Sequence, residues 1–350
     1  MSKMPHDMMI GAYPIQEQLI FSFLLVVRNE EAHINFLLES ILNQDFPNSK
    51  YEIIVVDGES TDATQEIIRK YVKKFPNRIQ YLINPKRTLA TGWNLGIRAA
   101  QGEYVIRVDG HSQIPQDFLS KTYQVAERVP EAACVGGIIE SVGTGFWGKV
   151  NAYVYSHPFG VGNSKFRTAK SGWEGYVDTV PYAAYRRDIF TQVGYFDEDL
   201  QRNEDLEMHA RIRNTGKGFY LSTGIRSTYY VRNTIRSFLK KSYGDGKWTM
   251  IARKRGAGVL RFRHLVPLLA LIIGAFLLVA SFFSTVATVA LTTIIFLYAA
   301  LLMGSAVGVI KQIGVKYLLP CMLSFFLLHT SRGVGSLVGL IKSLSWSESK

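Results

Sequence analysis

From Leu265 to Ile310 the chain runs for 46 residues without an Asp, Glu, Lys or Arg. A helix that crosses a bilayer needs about 20 apolar residues, so this run has the length of two spans joined by a tight turn. The spans are expected near 266–284 and 287–308, with Ser284-Thr285 at the turn. A further apolar stretch, Tyr317 to Ile341, is interrupted by Arg332 and is either a third span or a partly interfacial helix. A buried hairpin of a soluble protein fits the run poorly, because soluble core helices keep a polar face.

Charge supports the same organisation. The 350 residues include 40 basic and 28 acidic side chains, a formal net charge of +12. Residues 1–225 are close to neutral, with 24 Lys/Arg and 26 Asp/Glu, whereas residues 226–264 hold 11 Lys/Arg and one acid. The basic excess is therefore local, and nucleic acid is not an expected partner. Arg253, Lys254, Arg255, Arg261 and Arg263 lie just before the first span. Positive charge beside a span stays on the cytoplasmic side, which predicts a multi-pass protein of the cell membrane with residues 1–264 in the cytoplasm. Lys311 and Lys316 then fall on that same side. The opening MSKMPHDMMIGAYPIQEQ lacks the basic-then-apolar layout of a signal peptide. Cys134 and Cys321 are too few for a disulfide framework and have no metal-ligand spacing.

Residues 21–142 alternate short apolar runs with helical patterns. FSFLLVV (21–27), YEIIVVD (51–57), IQYLIN (79–84) and YVIRVD (104–109) read as strands. Ile34, Leu37, Leu38, Ile41 and Leu42 share a helical face, as do Ile67, Ile68, Tyr71 and Val72 after a start at Thr61-Asp62, and residues 88–100 complete a third helix. Strands that are apolar nearly throughout imply a mainly parallel sheet covered on both faces. The predicted fold class is α/β.

Ligands of such open sheets bind beyond the carboxyl ends of the strands. Three polar clusters stand there: Arg28-Asn29-Glu30-Glu31, Asp57-Gly58-Glu59-Ser60, and Asp109-Gly110-His111-Ser112-Gln113. They are expected to converge on one crevice, with Asp57 and Asp109 as functional carboxylates and Ser60, Thr61 and Asp62 as helix-capping residues. There is no G-x-G-x-x-G after the first strand and no G-x-x-x-x-G-K-[ST], so dinucleotide redox chemistry and P-loop ATP hydrolysis lose their usual support. Asp109, His111 and Gln113 alternate along an extended stretch, and residues two apart point the same way. Such a set suits Mg²⁺ or Mn²⁺. Glu204 and Asp205 open a helical stretch, where acids are common because the helix dipole favours them; one of them is equally placed to act as a general base.

These residues carry a resemblance. FSFLLVVRNEE, YEIIVVDGESTD, NLGIRAAQGEYVIRVDGHS and GYFDEDLQRNEDLEMHARIRNTGKGFYL, followed by membrane spans, resemble a family 2 glycosyltransferase with the GT-A fold. The likeness covers about residues 20–250. The pattern is most similar to membrane-associated exopolysaccharide glycosyltransferases of the succinoglycan type, which carry R-N-E-E, R-x-D-x-H and N-E-D ahead of a membrane region.

The resemblance implies inverting transfer of a sugar from a nucleotide-diphosphate donor, a UDP-sugar being favoured. It implies that Val26, Arg28 and Glu30 line the nucleotide pocket, that Asp57 accepts hydrogen bonds from the base, and that Asp109 stands near ribose and metal. His111 takes the place of the second Asp of D-x-D, and Gln113 matches a further metal ligand. Asp205 matches the catalytic base, with Glu204 beside it. Arg232 matches a basic position that meets a diphosphate. Processive synthases carry Q-x-x-R-W; the nearest element here is Gly246-Lys247-Trp248, without the Gln or Arg.

The expected organisation is an extension over 1–20, a GT-A catalytic domain over 21–225 with nucleotide-binding half 21–114 and acceptor half 115–225, a basic amphipathic segment over 226–264, and a membrane region over 265–342 with two or three helices. The basic segment reads as lying on anionic membrane lipids. The acceptor is then expected to be a polyprenyl-diphosphate-linked glycan of exopolysaccharide assembly. Trp147, Tyr153, Tyr155, Phe159, Trp173 and Tyr176 either stack on sugar rings or build the domain, and Lys165, Arg167 and Lys170 form either a phosphate-binding loop or a solvated one. A polyprenyl-phosphate sugar synthase or a processive synthase is the alternative chemistry, and a non-catalytic nucleotide-binding scaffold the alternative of another class.

Overall fold

In the computed structural model, residues 9–10 and 18–345 are described. Most of the extension expected over 1–20 lies outside them. Ten strands form one sheet: β1 (Met9–Ile10), β2 (Phe21–Val27), β3 (Tyr51–Asp57), β4 (Ile79–Ile83), β5 (Tyr104–Asp109), β6 (Ser112–Gln113), β7 (Cys134–Val142), β8 (Glu174–Val177), β9 (Ala184–Arg186) and β10 (Phe219–Tyr230). The order is β1-β4-β3-β2-β5-β9-β7-β10-β6, with β8 also on β10. The helices beside the sheet are α1 (Ile34–Leu42), α2 (Thr64–Lys74), α3 (Leu89–Ala99) and α4 (Phe118–Arg128). The remainder are α5 (Gly145–Ser156), α6 (Pro158–Val161), α7 (Lys165–Thr168), α8 (Ile189–Val193), α9 (Glu204–Asn214), α10 (Ile235–Ala252), α11 (Phe262–Ala280), α12 (Thr285–Gln312) and α13 (Leu318–Ser345).

The sheet is mixed. Its parallel part is β4-β3-β2-β5, and the strands around it pair antiparallel. From β2 the chain steps outward to β3 and β4, then returns through α3 to place β5 on the other side of β2. That reversal is a topological switch point, where open α/β sheets bind ligands. Phe21, Phe23, Leu25 and Val27 of β2 join Ile34, Leu37, Leu38 and Ile41 of α1 and Ile68, Tyr71 and Val72 of α2 in one buried cluster. Each such side chain contributes roughly 1.5–3 kcal/mol by leaving water. The helix α3 lies over Leu24 and Val26, and it comes so close only because Gly92 and Gly96 face them; a Cβ at either position would overlap the β2 side chain.

Two compact units divide the chain differently from the linear boundaries expected. One runs to Glu140 and takes in Ala169–Tyr229; the other comprises Ser141–Thr168 and the chain from Tyr230 onward. Residues 141–168 therefore belong to the helical unit rather than to an acceptor half. Tyr153 and Tyr155 are buried there, and Phe159 packs on Phe325 and His329, so these aromatics build structure.

Three helices of the second unit are long and apolar enough to cross a membrane: Phe262–Ala280, Thr285–Gln312 and Val315–Leu344. The stretch with Arg332 is thus a continuous helix of spanning length. The basic segment expected over 226–264 is not one element. It begins in β10, continues as α10, and ends in the lead-in to α11. Nor does α10 present a free apolar face. Gly335 and Gly339 of α13 lie against the Tyr243 and Lys247 carbonyls, and Gly246 of α10 lies against the Arg332 carbonyl. Small residues spaced in this way let two helix backbones approach closely.

Candidate active site

The loops after β2 and β3 are tied together by hydrogen bonds. Ser60 Oγ accepts from the Asn29 amide (2.9 Å), Thr64 Oγ1 from the Glu30 amide (2.8 Å), Asn29 Oδ1 from the Thr61 amide (2.8 Å) and Glu31 Oε2 from the Ala63 amide (2.9 Å). Asp62 accepts from the Thr64 and Glu31 amides. Ser60, Thr61 and Asp62 thus join the two loops, and the residue at the start of α2 is Ala63, which gives no side-chain cap.

Strand register fixes where the two strand-end carboxylates go. Asp57 pairs with Val27, and Asp109 with Val26. Adjacent positions on a strand face opposite sides, so the two carboxylates leave the sheet on opposite faces. Asp57 is wholly buried. It accepts from Ser60 Oγ (2.5 Å), the Ser60 amide and Tyr81 O–H (3.1 Å). Its carboxylate is already engaged in shaping the Gly58-Glu59-Ser60 turn. Asp109 is half-buried and accepts from Tyr182 O–H (3.1 Å). His111 Nδ1 lies 3.5 Å from Glu30 Oε1, and the ring packs 5.4 Å from Tyr229. Gln113 is exposed on β6, paired with Thr228. Val26 is covered by Gly92, while Arg28 is exposed and runs along Gly58.

The site's organising residue is one to which sequence reasoning gave no role. Arg107 is the single charge in β5 before Asp109. Residues 107 and 109 share a face, and the Arg107 guanidinium is held 4.4 Å from the Trp93 ring and 4.6 Å from the Phe196 ring. Its Nη2 lies 3.9 Å from Glu204 Oε1, and its charge also acts on Asp205 and Asp109. Glu204 is thus its near partner, while Asp205 and Asp109 lie within the reach of its charge. Such stacking suits a planar guanidinium and not an ammonium. The available signal was an arginine inside an otherwise apolar strand.

The start of α9 explains the different behaviour of its two acids. Asn203 precedes the helix with φ +63° and gives no side-chain cap. Glu204, Asp205 and Glu207 fill the first turn, where the dipole favours negative charge. Glu207 forms a bidentate pair with Arg211 (2.7 Å on both nitrogens), whose guanidinium also reaches the Val193 and Tyr195 carbonyls. Glu204 is 4% exposed, while Asp205 is half-buried and accepts from the Leu206 amide. Burial, with the charge of Asp205 next, pushes the Glu204 carboxyl up to about 7, against the pull of Arg107. Behind this pair His209 is held by Tyr185 O–H (2.6 Å) and Thr179 Oγ1 (2.8 Å), and burial keeps it neutral.

Five non-glycine residues among those described adopt positive φ: Asn29, Glu59, Arg87, Tyr182 and Asn203. All five adjoin the site. Asn29 and Glu59 lie in the tied loops, Arg87 pairs with Glu59, Tyr182 donates to Asp109, and Asn203 precedes Glu204. Backbone held in sparsely populated regions concentrates at functional sites.

Residues 22–194 match the model of "Glycosyl transferase family 2". A curated relative from Methanococcus voltae is 33% identical over 93% of this chain and 98% of its own length; it is named dolichyl N-acetyl-alpha-D-glucosaminyl phosphate 3-beta-D-2,3-diacetamido-2,3-dideoxy-beta-D-glucuronosyltransferase. The chain belongs to glycosyltransferase family 2. This glycosyltransferase is also 29% identical to the succinoglycan biosynthesis protein ExoA of Rhizobium meliloti, over 63% of this chain and 66% of that one. Among solved structures, it shares its fold with mannosyltransferase PcManGT from Pyrobaculum calidifontis, in complex with GDP-Man and Mn²⁺. There the TM-score is 0.60 at 18% identity, covering 93% of this chain and 89% of the other. The chain is thus a GT-A glycosyltransferase with helices of membrane-spanning length.

Proposed function

We propose that this glycosyltransferase moves one sugar from a nucleotide-diphosphate donor, a UDP-sugar in the first instance, to a glycan carried on a polyprenyl phosphate or diphosphate, with inversion, at the cytoplasmic face of the membrane. The observation that carries the proposal is the convergence of Asp109, Glu204 and Asp205 on Arg107 at the switch-point side of the sheet. Val26, Arg28, Glu30 and Asp109 are assigned to the donor. Asp57 shapes the turn beside it, and for Asp57 to accept a hydrogen bond from the base a present partner must yield. Asp205, the more accessible of its pair, is assigned as the base that takes the proton of the acceptor hydroxyl. Glu204 and Arg107 hold the charge balance behind it.

Among the described residues no three His, Cys, Asp or Glu side chains form a metal cage. Asp109 and His111, with Gln113 nearby, fit the other arrangement, in which Mg²⁺ or Mn²⁺ takes one or two protein ligands and completes its shell with substrate phosphates. A bound ion neutralises the charge that grows on the diphosphate leaving group. The Methanococcus voltae relative, whose name specifies a dolichyl phosphate-linked sugar, supports a lipid-linked acceptor; Arg232, Lys247 and Trp248 are assigned to it. The full-length enzyme, given membranes and a panel of nucleotide sugars, should yield a lipid-linked product one sugar heavier by mass spectrometry. EDTA should abolish turnover, and Mn²⁺ or Mg²⁺ should restore it. Full activity in chelator would remove the metal assignment, and a polymer product would replace single addition.

A further inference from the structure

The last apolar helix, α13, has one exposed apolar stripe and a packed back. Among its described residues the exposed large apolar side chains are Leu319, Leu323, Phe326, Val334, Ile341 and Leu344. At about 100° per residue they fall within an arc of about 80° that runs the length of the helix. Gly335, Ser336, Gly339 and Ser343 lie on the opposite side and are buried. There α10 packs. A Cβ at Gly335 would come within 2.1 Å of the Tyr243 carbonyl oxygen, and one at Gly339 within 2.2 Å of the Lys247 carbonyl oxygen. Both helices advance by one turn between these contacts, in the same sense, so they run parallel. At equal rise per residue, Arg236 and Lys240 of α10 stand level with Leu328 and Arg332, and Ala252, at its end, with Leu344. Arg236 and Lys240 are exposed, and α10 also carries Lys241, Asp245 and Lys247.

The α11–α12 hairpin parts from α13 early. Gly333 of α13 lies against the Pro267 carbonyl, near the start of α11, and Tyr298 Oη of α12 is 2.9 Å from His329 Nδ1. Past Leu268 no residue of α11 is buried, and none of α12 between Ala287 and Ala306. The hairpin thus projects beyond α13 with its apolar side chains bare, while the C-terminal half of α13 is covered by α10. Phe326 of the stripe lies 6.5 Å from Tyr298, close to the exposed Leu297 and Leu301, so stripe and hairpin present a continuous apolar surface. Were α13 a third span, its C-terminal half would pass through the far leaflet and take α10 with it. Arg236 and Lys240 would then stand exposed near mid-bilayer. Charge at that depth is costly, and it almost always faces a protein interior or a water-filled cavity.

We infer that α13 does not cross the bilayer but lies in the surface of its cytoplasmic leaflet, with the apolar stripe on the acyl chains and α10 on its water-facing back. A helix with one narrow apolar face and a polar or packed opposite face binds a membrane in this way. The chain then crosses twice, through α11 and α12, and residue 345 stays on the side where α11 begins. Which side that is rests on the cytoplasmic placement proposed above; the count of two crossings does not. The partner of the stripe is the lipid surface itself, continuous with the lipid around the hairpin.

Topology of the full chain in bacterial cells tests the count. Green fluorescent protein joined after Lys350 should fluoresce, and alkaline phosphatase joined there should be inactive. Phe283→Cys, at the exposed turn between α11 and α12, should react with a membrane-impermeant maleimide in intact cells; Cys134 and Cys321 are buried and set the background. Active phosphatase after Lys350 together with labelling of F283C would mean a third crossing and overturn the inference. Active phosphatase without labelling would refute the cytoplasmic reading alone, because the protein would then be inverted with two crossings. Fluorescence without labelling would overturn the crossings of the hairpin. Spin labels at Leu323→Cys, Val334→Cys and Ile341→Cys, in lipid nanodiscs, test the lie of the helix. All three should report one shallow depth near the headgroups. A crossing helix would separate Leu323 from Ile341 by up to about 27 Å of depth, and a graded series of that kind would overturn the inference.

Discussion

Glu204 and Arg107 set the electrostatics of the site, and each makes a separate prediction. A carboxyl raised from 4.5 to about 7 in the folded protein holds a proton there that the unfolded chain has already released. The folded state then binds more protons between those two values, so stability falls as pH rises through that window. Below about 4.5 the penalty is absent, and above about 7 it is complete. Replacing Glu204 by Gln removes it. The melting temperature of E204Q should match wild type near pH 4.5 and exceed it increasingly toward pH 8; parallel curves would contradict the assignment. Arg107→Met leaves Glu204 and Asp205 without their cation, and breaking a buried pair from one side costs about 3–5 kcal/mol. Thermal melting should show that loss near neutral pH, and E204Q in the same chain should recover part of it. The carboxylates themselves were legible from their places at strand and helix ends. The role of Arg107 was not, because the rings that clamp it come from α3 and the loop before α9, remote in sequence.

At the scale of elements, the parallel core was readable because its strands are nearly all apolar. FSFLLVV, YEIIVVD and YVIRVD coincide with β2, β3 and β5 to the residue. What sequence could not show was register. The opposite facing of Asp57 and Asp109 follows from a one-residue offset across β2, which no apolar pattern reveals. The same limit applied to α10. Its alternating charges and aromatics resemble an interfacial helix, yet the glycines that seat it are on α13, about 90 residues further on. Gly335→Leu should therefore force α13 off the Tyr243 carbonyl and lower the melting temperature and the yield of folded protein. Gly274→Leu, where a side chain meets nothing within 4 Å, should be tolerated. Equal effects of the two would contradict the close packing of α10 on α13.

At the scale of the whole molecule, the uneven charge was the most informative feature of the composition. Near-neutral residues 1–225 include most of the sheet and its carboxylates, while the positive charge is concentrated beside the candidate spans. The compact units are discontinuous in sequence: residues 141–168 leave the sheet-bearing unit and join the helices. The chemistry proposed for the molecule needs Asp205 to remove a proton while the donor is held by other groups. Asp205→Asn keeps the size and the hydrogen-bond acceptor and loses the base. The most direct measurement is donor binding and sugar transfer on the same full-length D205N preparation. Unchanged affinity for the nucleotide sugar, with transfer to the lipid-linked acceptor reduced by about 10²–10⁴-fold, is the predicted result. Transfer at the wild-type rate would contradict it.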